Sequence, residues 1–352
     1  MRAEPLWWDR PLPPADVYVV GLGAAGLAAC IEARRHGASV VGLDSGRIGG
    51  GASGRNGGFL LAGGAKFHHA AGSGDLYAAT VEEIAGLARE LPGCVRPVGS
   101  ERQWLDEEER LDCEAHAAAL HEHGFAAEML RASLLLPDDA AFDPLARVLA
   151  WAAHSRSAGV SLLEHRGLPE GGVAALPASM VLVCVDGGIE LVVPSLATHV
   201  RTARLQMLAT EPTTEVRIRR PVYSRWGYDY WQQLPDRRVV LGGCRDLHLA
   251  DEFSCDARPT DAVQADLGRV LRDRVGVRAA VTHRWAGLSA YPHDGKMPFV
   301  GAITPNVWVT TGYAGTGNVI GPLAARALVA RALGGAPVPA WLGRAPETSL
   351  TG

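Results

Sequence analysis

Val17-Tyr-Val-Val-Gly21 is a short β-branched run that leads directly into Gly21-Leu-Gly23-Ala-Ala-Gly26. A helical stretch follows to about His36, with Gly37 as its stop. Ser39-Val-Val-Gly-Leu43 reads as a second strand and ends at Asp44. Strand, glycine turn, helix, strand and acid in that order make one βαβ unit. The first glycine of such a unit makes the tight turn, and the second lets a pyrophosphate approach the backbone. The third lets the helix pack close to the strand, with its N-terminus facing the phosphate charge. An acid about 20 residues on, here Asp44, can accept ribose hydroxyls. A bound dinucleotide is therefore expected. The fingerprint does not choose between FAD and NAD, because both carry an ADP half.

Two other segments favour a flavin. Gly49 to Gly64 is a glycine-rich loop directly after the second strand, and it contains Ser53, Arg55 and Asn56. It offers many backbone N–H groups and few side chains, which suits a long ligand lying along it. Near the other end, Thr311-Gly-Tyr-Ala-Gly315-Thr-Gly317-Asn318 lies between the short strand Trp308–Thr311 and a last helix, Gly321–Leu333. A nicotinamide fold has no need of this second glycine-rich helix start. A flavin does, because its pyrimidine edge becomes anionic on reduction and a helix N-terminus stabilises that charge by about 0.3–2 kcal/mol.

With 352 residues the chain suggests two domains of about 150 residues each. Hydrophobic content of 47% against 20% charged allows a large packed core. The net charge of -4 gives no electrostatic case for nucleic acid or an anionic membrane. No apolar run reaches the roughly 18 residues that span a bilayer. Met1 to Asp16 carries Glu4 and Asp9 and does not read as a signal peptide, so a cytoplasmic location is expected. The six cysteines form no CxxC pair and read as reduced, mostly buried thiols rather than a metal site or a disulfide framework.

Further along, Thr80-Val-Glu-Glu83 fits a capping box that opens a helix to about Leu91. Helices are also expected over Asp106–His123, Pro144–Ser157 and Asp261–Val275. Strands are expected over Gly159–Glu164 and Met180–Val185, and a hairpin should join Tyr228–Gln233 to Val239–Gly243.

Most of the chain resembles the FAD-dependent amine and amino-acid oxidases of the glycine oxidase / D-amino acid oxidase superfamily. Within it, the motifs resemble those of γ-glutamylputrescine oxidase and glycine oxidase. The resemblance runs from Trp7-Trp8 through Gly21–Gly26, Gly51-Ala-Ser-Gly-Arg-Asn-Gly-Gly58, Leu208-Ala-Thr-Glu-Pro212, Tyr228–Gly243 and Trp285-Ala-Gly-Leu to Gly312–Gly317. It implies an α/β fold. A Rossmann-like FAD-binding domain with a parallel sheet would use 15–62, 141–195 and 285–345. A smaller α+β substrate domain with a mixed sheet would use 63–140 and 196–284.

The resemblance also implies site residues. Gly21, Gly23, Ala24, Ala25 and Gly26 lie under the pyrophosphate, and Asp44 with Ser45 holds the adenosine ribose. Asp44 stands where the family usually has Glu. Ala52 and Ser53 reach the ribityl-phosphate region, with Arg55 and Asn56 in the same run, and Gly57, Gly58 and Phe59 run along the flavin. Leu168 meets adenine through its backbone; Gly312 leads into Ala314, Gly315, Thr316, Gly317, Asn318, Val319 and Ile320, which cover the pyrimidine edge. Tyr230 matches a substrate-facing strand tyrosine of glycine oxidase, or is a packed sheet aromatic. His293 lies near the expected mouth of the site, and Lys66 is a candidate cation for oxygen reduction; each also reads as an ordinary solvated side chain.

The implied reaction moves hydride from the carbon next to an amine nitrogen to a non-covalently bound FAD, with oxygen as the expected acceptor. The alternatives are an FAD-binding dehydrogenase with another acceptor and a flavin protein without amine chemistry. Where sarcosine oxidases carry a flavin-linking cysteine, this chain has Gly287. Where glycine oxidase has a carboxylate-gripping arginine, it has Ser289, in Gly287-Leu-Ser-Ala290 before Asp294-Gly-Lys-Met-Pro298. A hydroxyl cannot replace a guanidinium fork. Either the substrate lacks a nearby carboxylate, or another arginine holds it: Arg225, Arg245 or Arg284.

Overall fold

The computed structural model describes residues 11–64, 68–71, 73–295 and 298–344. Lys66 and the Trp7-Trp8 pair therefore lie outside the described residues.

The fingerprint strand Ala15–Val20 sits inside a six-stranded sheet. Its order is Phe299–Thr304, Val307–Thr311, Ala178–Val183, Ala15–Val20, Val40–Leu43, Ser161–Leu163. Five of these strands are parallel, and Phe299–Thr304 is added antiparallel at one edge. Val17 to Val20 are all buried, as expected of a strand covered on both faces. Helices Ala24–Arg35 and Ile320–Gly334 pack together on one face, around Leu27, Ala28, Ala324 and Leu328. Gly26 lets the first helix lie close to the end of its strand: a Cβ there would lie 1.7 Å from the Gly21 carbonyl oxygen. Gly37, with φ +84°, ends the first helix in a left-handed conformation that favours glycine.

A second sheet has eight strands. The long strands Val200–Pro212 and Val281–Pro292 pair antiparallel at one edge, and the hairpin Asp229–Gln233/Arg238–Gly243 follows. The sheet is mixed because Val222–Ser224 runs parallel to Ser100–Gln103. The boundary expected near 285 falls inside Val281–Pro292, which lies wholly in this sheet. Helix Asp261–Val270 covers one of its faces through Val263 and Leu267.

Two expectations need correction. The helix expected to start at Thr80 runs from Gly74 to Glu90, with the Ser73 hydroxyl capping it by accepting from the Leu76 N–H. Thr80 lies mid-helix and buried, its hydroxyl bonding back to the Leu76 and Tyr77 carbonyls and accepting from the Gly63 N–H. Ser73 offers the same capping chemistry earlier, and the apolar period Tyr77–Ile84–Leu87 carries the helix through the apparent box. The helix expected over Asp261–Val275 is α-helical to Val270, then widens to a π turn over Leu271–Val275 and ends at Gly276, φ +80°. Among the described residues, no helix is long and apolar enough to cross a membrane.

Candidate active site

The carboxyl ends of the parallel strands face the large mixed sheet, and a cavity of about 1110 Å³ lies between them. It slightly exceeds the usual range for small-molecule sites, about 300–1,000 Å³. Gly21, Gly23, Ala25, Asp44, Ser45, Ala52, Ser53, Arg55, Asn56, Gly57, Phe59 and Leu168 line it from the nucleotide side. Ala314 to Val319 close it from the far end of the chain, and Tyr230 and Ser289 reach it from the second sheet.

The remaining expected residues act behind the wall or away from it. Ala24 is buried and donates its N–H to the Ser53 hydroxyl at 2.9 Å, so Ser53 stands at the helix N-terminus. Gly26 sets the strand–helix distance. Gly58 has φ +75°, and a Cβ there would lie 2.5 Å from the Phe142 carbonyl. Gly312 has φ +83°, and Ile320 is buried at the start of the last helix. His293 is exposed, does not line the cavity, and donates its backbone N–H to the His199 carbonyl.

Asp44 faces the cavity with its carboxylate oriented by the chain itself. It accepts from the Leu22 N–H at 2.8 Å and from the Gly46 N–H at 2.8 Å. This ties the acid to the fingerprint turn and leaves lone pairs on the cavity side.

The two glycine-rich segments meet through one asparagine. Asn318 donates to the Asn56 Oδ1 at 3.1 Å and to the Phe59 carbonyl at 3.0 Å. Behind it Arg147, fully buried, donates to the Asn318 carbonyl and side-chain oxygen. The Arg147 guanidinium lies over Phe142 and Trp151, 4.6 and 5.4 Å from the ring centres. Burial pulls its pKa down to about 10, so it is still charged at neutral pH. Gln232 bonds the Gly57 and Gly58 carbonyls and is itself held by Arg96. Arg55 donates to the Ala286 carbonyl and accepts on its own carbonyl from the Trp285 indole N–H, which fastens the loop to the second sheet.

Asp186 is the main site residue that sequence reasoning missed. It follows strand Ala178–Val183 and lies in the cavity wall. Its carboxylate accepts from the Ser289 hydroxyl at 2.8 Å and from the N–H groups of Ala290, Gly312 and Tyr313 at 3.0–3.2 Å. Ser289 in turn accepts from the Gly315 N–H at 3.1 Å. Ser289 is thereby committed to buttressing the terminal glycine segment. The signal for Asp186 was its place at the carboxyl end of a parallel strand, where α/β sheets bind ligands. Desolvation raises its pKa, opposed by the hydrogen bonds from Ser289 and the backbone.

Tyr230 lies on strand Asp229–Gln233 of the second sheet. It lines the cavity, and it also stacks on Tyr223 at 5.7 Å and meets Phe59 edge-on at 5.8 Å. Desolvation holds the hydroxyls of Tyr223, Tyr230 and Tyr291 above the ordinary tyrosine range.

The sequence model of the DAO family, FAD dependent oxidoreductase, matches residues 16–331. The chain belongs to this family. FAD is accordingly its cofactor.

A search of curated proteins finds none that matches. Among solved structures, the chain is similar to glycine oxidase from Geobacillus kaustophilus, with 19% identity over 93% of this chain and 96% of that one and a TM-score of 0.74. L-proline dehydrogenase from P. horikoshii gives 17% identity, coverage of 93% and 96%, and a TM-score of 0.77. Iminodiacetate oxidase from Chelativorans sp. BNC1 gives 19%, 94% and 100%, and 0.72. These likenesses establish the glycine oxidase-like α/β fold, with its parallel-strand sheet and its mixed sheet.

The residues of this DAO-family chain fit FAD. The first helix points its N-terminus at the cavity, beside glycines that keep the backbone bare. At Gly57 a Cβ would lie 2.8 Å from Phe59 and 3.2 Å from Tyr230, so side-chain bulk is excluded along that wall.

Proposed function

We propose that this DAO-family oxidoreductase oxidises an amine or amino acid at the carbon bearing the nitrogen, with oxygen as the final acceptor and hydrolysis of the imine product in water. The observation that carries this reading is the far end of the cavity. There Tyr223, Tyr230 and Tyr291 line the cavity beside Gly57, Phe59, Ala314 and Gly315. FAD, when bound, supplies the hydride acceptor. The protein orients the substrate and keeps water away. Asp44 and Ser45 hold the nucleotide ribose in this reading, Ser53 and the first helix the pyrophosphate, and Ala314 to Asn318 the far edge of the cofactor.

The aromatic wall also selects a protonation state. Desolvation on binding, with the Arg245 charge beside Tyr291, disfavours an ammonium ion and favours the neutral amine, the form that can release hydride. The three tyrosines stay neutral through the working range, because their pKa values lie above the ordinary value of 10.0. They therefore donate or accept hydrogen bonds without adding charge. The pH profile of kcat/KM should rise with deprotonation of the substrate amine and show no tyrosine limb up to pH 10, the unshifted tyrosine value. A fall centred below that value, unchanged in Tyr230→Phe, would exclude Tyr230 as its source; one removed in Tyr230→Phe would refute the neutral-wall account.

The direct test is anaerobic bleaching of the yellow protein with amino acids, N-methylglycine and γ-glutamyl polyamines in turn, followed by peroxide detection on admitting air. Bleaching with peroxide supports an oxidase. Bleaching without peroxide points to another acceptor, and no bleaching with any amine refutes the proposal. Acid precipitation should release all of the FAD, because Gly287 faces the loop at Ala52 and Arg55 with hydrogen where a linking cysteine would stand. Flavin retained on the polypeptide would contradict that.

A further inference from the structure

Loss of the arginine at the Ser289 position left two outcomes: a substrate without a carboxylate, or a carboxylate held elsewhere. The three candidate arginines are not equivalent in the structure. Arg225 is consumed by ion pairs to Asp229 and Asp246. Arg284 donates to Gln264 at 2.7 Å and does not line the cavity. Arg245 lines the cavity, and no carboxylate among the described residues is paired with it.

Three features make Arg245 a prepared anion site. Its Nη1 is buried and has no hydrogen-bond partner. Its guanidinium is held over the Tyr291 ring at 4.6 Å and lies 5.5 Å from the Phe253 ring, which fixes the fork without neutralising it. The nearby acids are paired elsewhere: Asp229 with Arg225 and Arg274, Asp186 with Ser289 and three backbone N–H groups, and Asp246 with Arg225 through Oδ2, its Oδ1 being buried without a partner. A buried cationic donor left without an acceptor carries a standing desolvation cost that an incoming anion relieves. The site is also in the right place. The Tyr291 hydroxyl comes within 3.4 Å of where a Cβ on Gly315 would be. One tyrosine ring therefore separates Arg245 from the terminal glycine segment, and Tyr230 feels its charge.

We propose that Arg245 is the anchor for a carboxylate on the substrate, so that the substrate is an amino acid or N-substituted amino acid rather than a simple polyamine. This rests on the reading of the cavity as an amine-oxidising site. The fork receives the carboxylate in charge-assisted, bidentate fashion. A polycation without a carboxylate would meet the same guanidinium as a repulsive charge.

The test uses the FAD-loaded protein and the variants Arg245→Met and Arg245→Lys. Calorimetry and the flavin absorption spectrum would follow binding of acetate and benzoate, which cannot be oxidised. Anaerobic bleaching would compare matched pairs: N-methylglycine with dimethylamine, and alanine of either hand with ethylamine. Arg245→Met should weaken carboxylate binding by about a hundredfold. It should remove most of the preference for the carboxylate-bearing partner, read as the ratio of bleaching rates within each pair. Arg245→Lys should recover part of the affinity, since the charge returns without the fork. Unchanged carboxylate affinity in Arg245→Met protein that retains full FAD would overturn the proposal. So would a wild-type protein that oxidises each plain amine faster than its amino-acid partner. If no compound bleaches the flavin but carboxylates bind through Arg245, the anion site stands and the amine chemistry falls.

Discussion

Gly26→Ala should yield protein that is largely colourless or insoluble. The added Cβ would lie 1.7 Å from the Gly21 carbonyl oxygen and 2.9 Å from its carbon, and both belong to backbone that cannot swing aside. The first helix would have to move off the sheet, taking with it the Ala24 N–H that Ser53 holds and the contacts of Leu27 and Ala28 in the core. Overpacking commonly costs about 1–3 kcal/mol, and a backbone clash of this depth belongs at or above the top of that range. Gly37→Ala is the control. Its Cβ meets nothing within 4 Å, so only the left-handed φ of +84° resists it, at about 1–2 kcal/mol. The measurement is the ratio of flavin to protein absorbance with the melting temperature beside it. A yellow Gly26→Ala protein, as stable as Gly37→Ala, would mean that the helix does not press on Gly21.

Asp186→Ala should cost about 4 kcal/mol or more, the second large effect. Removing the carboxylate strips the acceptor from three backbone N–H groups and from Ser289, and each donor left without a partner away from water costs about 1–3 kcal/mol. The loss is local to the terminal glycine segment, so FAD affinity should fall with stability. Asp186→Asn keeps the shape but offers one acceptor oxygen and turns an NH₂ toward donors, so it should lie between wild type and alanine. The pH dependence has a definite sign. Burial raises the folded pKa of Asp186 above its unfolded value, so its ionisation opposes folding. The associated stability is full below the unfolded pKa near 3.8 and is lost as pH rises through the folded value. Denaturant melts at pH 4 and pH 7 should differ less in Asp186→Asn than in wild type. An equal pH difference in both would show that other groups set it.

Local chemistry explains what was readable beforehand. The fingerprint unit was legible because turn, helix start and acid lie within one short stretch, and each is dictated by residues adjacent in sequence. The hairpin Asp229–Gln233/Arg238–Gly243 and the helices capped by Asp106 and Asp143 were legible for the same reason. The Thr80 box misled because two capping residues lay within one helix and only burial decides between them. Asp186 was marked only by its place after strand Ala178–Val183, and Arg147 carried no local signature. Their partners are Ser289 with Gly312–Tyr313 in one case and Asn318 in the other, all remote in sequence.

By itself, then, the sequence determined the nucleotide half of the protein: a βαβ unit, two bare glycine segments and their resemblance to FAD-dependent oxidases. Bare backbone and helix ends are properties of the local chain, and they persist wherever the chain goes. Tertiary structure alone decided the substrate half. Arg225, Arg245 and Arg284 are equal as letters. They differ because folding sets Asp229 and Asp246 beside the first, Gln264 beside the last, and leaves the Nη1 of Arg245 in the cavity wall without a partner. A charge takes its meaning from what surrounds it, and for an arginine on a sheet those surroundings come from strands far apart in sequence.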